Sequence, residues 1–178
     1  MARWAVLLRG VNVGAGNRVP MAELRTLLAG LGGTDVRTLL NSGNAVLTHP
    51  ARSAPALARQ VRAALVARLD VDVPVVVLGR AALAAIVAAL PFPEVMTNPS
   101  RLLVAFPQEP AALAALGPVR ERSRAPGRFA IGEHAAYLWC PDGISKSDAA
   151  AALLGWPGRG VTTRNWATVG KLLALLGE

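Results

Sequence analysis

Apolar runs and amphipathic helical patterns alternate in a set order along the chain, and this order restricts the fold more than any other feature. In the first half the order is strand, helix, strand, strand, helix, strand. The strands are predicted at 4–8, 36–40, 45–48 and 75–78, and the helices at 20–31 and 55–69. This is the element order of a ferredoxin-like (βαββαβ) unit.

The second half repeats the order. Strands are predicted at 102–106, 129–131, 136–140 and 161–163. Helices are predicted at 110–116, from either 145 or 147 to 154, and at 165–176. A further helix at 81–90 ends at two prolines, which cannot continue it. We therefore predict an α+β fold of two tandem ferredoxin-like units, each with an appended helix. The units are residues 1–92 and 93–178, packed together as one compact protein.

The turn from Arg9 to Pro20 joins the first strand to the first helix with three glycines, two asparagines and two arginines. It matches neither a P-loop nor a dinucleotide-binding fingerprint. Backbone N–H groups at the helix start, with Arg9 and Arg18, favour an anion. Asn12 and Asn17 would either donate to that anion or satisfy carbonyl groups of the turn.

Two other turns carry polar side chains. The segment 41–44, which contains Ser42 and Asn44, reads as a hairpin turn in which Gly43 supplies the positive φ. In the segment 162–168, a Thr or Asn at a helix start is typical of an N-cap. Arg164 is not needed for capping, so it either pairs with a carboxylate or reaches a ligand.

A formal net charge of +8 indicates either the composition of a GC-rich genome or an anionic partner such as nucleic acid. The basic segment 120–124 is either a phosphate contact or a solvated loop. Tyr137 and Trp139 lie two apart on a predicted strand and so share a face. They belong either to the core or to a base-stacking surface.

Chemistry is weakly indicated. His49 and His134 lack metal-ligand spacing, and we predict no metal site. Ser145, Lys146 and Ser147 fit a helix cap better than a catalytic Ser/Lys pair. The sequence assigns no catalytic residue and no cofactor, and leaves open the oligomeric state and whether the protein is an enzyme. A single cysteine and the lack of a long apolar run predict a cytoplasmic protein without a membrane segment.

Four stretches of the chain form a specific combination: Val6–Gly14, Asn17–Leu24, the Ser42–Asn44 turn, and the closing Thr163–Trp166 with Thr168 and Lys171. In these residues the chain resembles the bacterial domain of unknown function 1697 family. The resemblance implies a tandem α+β, ferredoxin-like architecture and no established activity. It also implies that the three polar segments belong to one surface.

We therefore expect a site for an anionic small molecule, phosphate- or nucleotide-like. The residues predicted to line it are Arg9, Asn12, Asn17, Arg18, Ser42, Asn44, Arg164 and Asn165. The alternative is a nucleic-acid-binding module that uses its strongly basic surface.

Overall fold

Two four-stranded antiparallel sheets form from the aliphatic and β-branched runs of the sequence, in an α+β fold. A computed structural model describes residues 1–178. The strands are β1 Ala2–Leu8, β2 Thr34–Leu39, β3 Asn44–His49, β4 Val75–Gly79, β5 Leu102–Pro107, β6 Arg128–Ile131, β7 Ala136–Trp139 and β8 Val161–Asn165. The helices are α1 Met21–Gly30, α2 Ala54–Leu69, α3 Arg80–Ala88, α4 Ala111–Ala114, α5 Gly117–Arg122, α6 Asp148–Leu154 and α7 Trp166–Gly177. Short 3-10 turns lie at Pro93–Val95, Pro99–Arg101 and Ile144–Lys146.

The strand order is β2-β3-β1-β4 in the first sheet and β6-β7-β5-β8 in the second. In both, the first strand of the set lies between the third and the fourth, and every pairing is antiparallel. The two halves of the chain thus build sheets of the same connectivity, as the repeated element order predicts.

By contacts the chain divides into two units. One contains Met1–Leu83 together with Leu172–Glu178, and the other contains Ala84–Lys171. The grouping divides the chain inside α3 and again inside α7. The division into residues 1–92 and 93–178 stays a prediction.

The core of the first unit lies between its sheet and the helices α1 and α2. Val6 and Leu8 of β1 pack in one cluster with Leu24 of α1 and Leu57 of α2. Ala5 and Leu7, which alternate with them along β1, are also fully buried. A central strand buried on both faces explains why this segment is apolar without alternation.

The second unit has an equivalent core formed by Leu103 and Ala105 of β5 with Val119 of α5 and Leu153 of α6. Tyr137 and Trp139 lie on β7 and are 1% and 5% exposed. The Tyr137 hydroxyl donates a hydrogen bond of 2.6 Å to the Ile86 carbonyl. The two rings are therefore core residues, and burial prevents them from stacking on nucleic-acid bases.

The longest helix, α2, shows how the sequence sets helix limits. The Ser53 hydroxyl accepts a hydrogen bond from the Ala56 N–H (3.3 Å), and Asp70 ends the helix in the left-handed conformation. Its apolar stripe, which includes Val61 and Leu65, is buried. None of the helices combines the length and the apolar composition that crossing a bilayer requires.

The basic segment 120–124 is not entirely a loop, because α5 extends to Arg122. Pro118 lies in the first turn of α5, where its missing N–H leaves no helical hydrogen bond unmade. Gly117 and Pro118 therefore begin a new helix, after α4 has ended at Ala114. The predicted helix at 110–116 is correspondingly shorter, spanning Ala111–Ala114.

Candidate functional site

The loop Arg9–Pro20 is attached to the first sheet at its root. The Leu8 N–H donates to the Gly43 carbonyl (2.8 Å), and the Arg9 N–H donates to the Pro74 carbonyl (3.0 Å). These bonds tie the loop to the turn before β3 and to the residue before β4. Two of the three predicted segments, Arg9–Pro20 and Ser42–Asn44, therefore lie side by side.

Asn12 closes the loop on itself. Its backbone N–H donates to the Asn17 carbonyl (3.1 Å), and its side-chain Oδ1 accepts from the Val19 N–H (2.9 Å). Its Nδ2 donates to the carbonyls of Val19 (2.8 Å) and Asn41 (2.9 Å). The amide of Asn12 thus satisfies turn carbonyls, which was one of the two roles that its position in the sequence allows.

Gly43 allows the close approach of the turn to the loop. Its φ is +75°, and a Cβ there would lie 2.7 Å from both Leu8 Cβ and Val11 Cγ2. The neighbouring Asn44 is fully buried, and its Nδ2 donates to the Leu39 carbonyl (3.0 Å) and to Ser42 Oγ (2.9 Å). Asn44 therefore stabilises the turn from inside, while Ser42 is exposed on its surface.

The outer part of the loop projects into solvent. Residues 13–18 are exposed, and Gly14 and Asn17 have φ of +62° and +47°. The Asn17 side chain makes one long hydrogen bond to the Gly10 carbonyl (3.4 Å). Arg9 lies at the half-buried root, where loss of solvation lowers the pKa of its guanidinium. The loop therefore presents Asn17 and Arg18 outward and holds Arg9 near its base.

Helix α1 begins directly after the loop, and no side chain caps its first turn. The residue before it is Pro20, which has no side-chain acceptor for the backbone N–H groups of the first turn. Glu23 supplies the negative charge that a helix start favours. Arg18 precedes this helix start by three residues, so donor groups and a cation are close along the chain.

The third predicted segment, Arg164–Asn165, belongs to the second unit. Arg164 is 8% exposed, and its Nη1 donates to Thr162 Oγ1 (3.0 Å) and to the Thr163 carbonyl (2.7 Å). Burial lowers the pKa of Arg164 to about 10, so it remains a cation at neutral pH. Asn165 Oδ1 accepts from the Thr168 N–H (2.9 Å) and so caps α7. The union of this segment with the first two on one surface stays a prediction.

Two of the candidate catalytic side chains, His49 and Ser147, make structural hydrogen bonds, and the cysteine is buried. His49 is buried, its Nε2 lies 2.9 Å from the Leu31 carbonyl, and its Nδ1 accepts from the Ala51 N–H (2.9 Å). These contacts assign the neutral tautomer protonated on Nε2. Ser147 caps α6 by accepting from the Ala150 N–H (3.1 Å). Burial raises the pKa of the Cys140 thiol, and a hydrogen bond with Ser147 opposes part of that shift.

Sequence reasoning missed a groove in the second unit. It is about 470 Å³ and is lined by Trp156, Pro157, Arg122, Arg124 and Asp148 among others. Trp156 is 74% exposed, and the Arg159 guanidinium lies over its ring at 4.0 Å from the centroid. The available signal was a tryptophan inside the segment 155–160, whose three glycines and one proline offer no apolar face for an indole to join.

Comparison with known proteins agrees with the fold. A family model described as "Protein of unknown function (DUF1697)" matches residues 1–137. Among solved structures, the chain is similar to the conserved bacterial protein SP0830 from Streptococcus pneumoniae, with 26% sequence identity and a TM-score of 0.81. The similarity covers 98% of each chain. No curated protein matches the chain.

Proposed function

This chain belongs to the DUF1697 family, and we propose that it binds an anionic small molecule, phosphate- or nucleotide-like, on the loop Arg9–Pro20 and the adjoining turn Ser42–Asn44. The proposal is confined to these two segments, because Arg164 and Asn165 belong to the other unit. The ligand would contact exposed groups of the loop, with Arg18 and Asn17 as donors.

The observation that carries the proposal is the start of α1 without a side-chain cap, beside the exposed Arg18. Backbone N–H groups at a helix start and a nearby cation together favour an anion. The hydrogen bonds of Asn12 hold the loop in one shape, so these donors are arranged before a ligand arrives. Such preorganisation reduces the entropy lost on binding.

We also propose that the two units are ferredoxin-like and arose by duplication. The shared sheet connectivity, β4-β1-β3-β2 and β8-β5-β7-β6, supports this, because both follow the order of a βαββαβ unit. A cytoplasmic location stays a prediction that rests on the single cysteine, which is buried as a thiol.

The test is a thermal-shift panel on nuclease-treated protein with phosphate, sulfate, nucleotides, sugar phosphates and acyl phosphates. A ligand at ~100 times its Kd stabilises the fold by about 2.7 kcal/mol. We expect one ligand class to raise Tm in the wild type and to lose most of its effect in Arg18→Ala. Arg59→Ala, which removes an exposed arginine from α2, is the matched control. An Arg18→Ala protein that responds like the wild type would place the ligand elsewhere.

A second candidate function is nucleic-acid binding, and one observation favours it. Arg120, Arg122 and Arg124 are all exposed within five residues at the end of α5. Phosphate neutralisation by such side chains makes affinity fall steeply with salt. Binding of RNA or DNA that is unchanged between low and high salt would rule out this mode.

A further inference from the structure

Trp156 lies on the surface of the second unit, so packing in the core does not account for its presence. Its side chain is 74% exposed, whereas most large apolar side chains of the chain are buried. The Arg159 guanidinium lies over the ring at 4.0 Å from the centroid. Because Arg159 covers one face of the indole, the exposed parts are the opposite face and the edges. An exposed face backed by a cation is a stacking platform for another planar group.

The loop that carries Trp156 is tightly built. The Gly155 N–H donates to the Ala151 carbonyl at the end of α6 (3.0 Å), and the Arg159 N–H donates to the Trp156 carbonyl (3.1 Å). A Cβ on Gly158 would lie 1.6 Å from the Leu153 carbonyl oxygen, so the chain passes directly over the end of α6. These contacts hold the backbone that carries the indole, which lowers the entropy lost when a ligand stacks on the ring.

Cations line the groove beside Trp156 and a second volume next to it. The groove of about 470 Å³ beside Trp156 is lined by Arg122, Arg124 and Asp148. The same three residues line a neighbouring cavity of about 180 Å³, which also includes Lys146 and Asp142. Three cations therefore face two carboxylates along the two volumes, and Arg122 is held in place by the Pro118 carbonyl (2.9 Å). The groove has a net positive charge and begins at an aromatic platform.

We propose that this groove binds single-stranded nucleic acid, with a base stacked on Trp156 and the phosphates following Arg124, Arg122 and Lys146. Proteins that bind single strands combine these two features, a positively charged groove and an aromatic side chain. Both volumes are open to solvent. A strand suits an open groove because its affinity is a sum over successive phosphates.

This assignment deepens the nucleic-acid candidate function and rests on it. It is independent of the small-molecule site proposed on the loop Arg9–Pro20, which lies in the first unit. It also assigns the basic residues of the segment 120–124 a role together with a residue some 30 positions later in the chain.

The experiment is a fluorescence-anisotropy titration of the full chain with a labelled single-stranded RNA of about twelve nucleotides. We expect Trp156→Ala to weaken binding roughly tenfold, since stacking on one aromatic side chain contributes about that factor. Trp156→Phe keeps a stacking ring and should restore most of the affinity. Arg124→Ala should weaken binding and reduce the slope of log K against log salt by about 0.7, the value for one phosphate of a single strand. Arg59→Ala is the matched control for charge and should change affinity less than Arg124→Ala.

The possible results distinguish the assignment of this groove from the broader proposal of nucleic-acid binding. If the wild type binds RNA and Trp156→Ala binds equally well, the groove assignment is wrong while nucleic-acid binding stands. If the wild type binds no single strand at low salt, the candidate function fails and the assignment fails with it. A free mononucleotide that binds as tightly as the strand would overturn the assignment of a strand. Because Trp156 is exposed, its variants should keep the wild-type Tm, and circular dichroism checks this.

Discussion

Gly43 is the residue on which the contact between the loop Arg9–Pro20 and its neighbouring turn depends. Two requirements meet at this position, a positive φ and a space that a methyl group would fill. The glycines of the loop Arg9–Pro20 have either the positive φ alone or neither the positive φ nor the crowding. Gly14 has φ +62° with nothing within 4 Å, and Gly16 has the same open space without the positive φ. The chain therefore contains its own controls for strain and for crowding.

We predict that Gly43→Ala lowers the free energy of unfolding by about 2–4 kcal/mol, from left-handed strain plus overpacking. Gly14→Ala should lose about 1 kcal/mol from strain alone, and Gly16→Ala should be close to neutral. Urea denaturation followed by circular dichroism measures all three. Equal losses for Gly43→Ala and Gly14→Ala would show that Leu8 and Val11 do not crowd the turn.

Tyr137 offers a spectroscopic test at the residue scale, because it is the only tyrosine in the chain. Burial raises the pKa of its hydroxyl, which donates to the Ile86 carbonyl. The unfolded chain releases this proton near pH 10, whereas the folded chain keeps it. The unfolded state then binds fewer protons, so stability falls as the pH rises above about 10 through the folded pKa.

We therefore predict that the phenolate absorbance appears only above pH 10. It should rise in the same pH range in which the near-ultraviolet circular dichroism of the folded protein is lost. In Tyr137→Phe this contribution to the alkaline loss of stability should be absent, although the variant also loses the bond to Ile86. Phenolate formation near pH 10 in a protein that is still folded would contradict the burial of this hydroxyl.

At the scale of elements, the loop Arg9–Pro20 behaves as one piece because Asn12 joins its two ends. Side-chain hydrogen bonds of Asn12 reach Val19 and Asn41, and the backbone φ of 57° is one that asparagine tolerates. We predict that Asn12→Ala lowers the free energy of unfolding by about 2–4 kcal/mol, since it loses these bonds and adds strain. Hydrogen exchange at the Val19 N–H should accelerate, because its acceptor is removed.

Asn12→Gly separates the two contributions. It accepts the positive φ without strain but lacks the amide, so it should be less destabilised than Asn12→Ala while exchanging as fast at Val19. Protection of the Val19 N–H that persists in both variants would mean that Asn12 does not close the loop.

At the scale of the whole molecule, the last residues of the chain group with its beginning. Leu172–Glu178 belong to the first unit, where Leu172 and Leu176 are buried and Glu178 pairs with Arg37 of β2. The C-terminal half of α7 is therefore part of the structure around the first sheet.

We predict that removing Leu172–Glu178 destabilises the first unit by at least about 3 kcal/mol, from the loss of two buried leucines. Hydrogen exchange should accelerate in β1 and β4, which are distant from the truncation in sequence. Glu178→Gln is the matched control and should change little, because both members of its ion pair are half-exposed. Unchanged protection of the first sheet after truncation would contradict the grouping.

Elements were predictable from sequence to the extent that local patterns specify them. The apolar run at 4–8 and the stripe at 55–69 lie within β1 and α2. Strand β8 extends to Asn165, two residues past its prediction, where Asn165 pairs with Leu103. The hydrogen bonds of the ladder are made by the backbone, so a polar residue can form them as readily as an apolar one. Helix α5 was not predicted, because a proline often follows the end of a helix, whereas Pro118 lies in the first turn of one.

The sequence alone determined the hairpin turn at Gly43, the family, and the order of all strands and helices apart from α5, because periodicity and turn chemistry act over a few residues. Only the tertiary structure decided which groups the polar side chains bind. Asn12 donates a hydrogen bond to Asn41, which lies 29 positions later in the sequence, and Trp156 lines a groove with Arg122 and Arg124. Such partners depend on how the sheets bring distant turns together, and no local pattern carries that information.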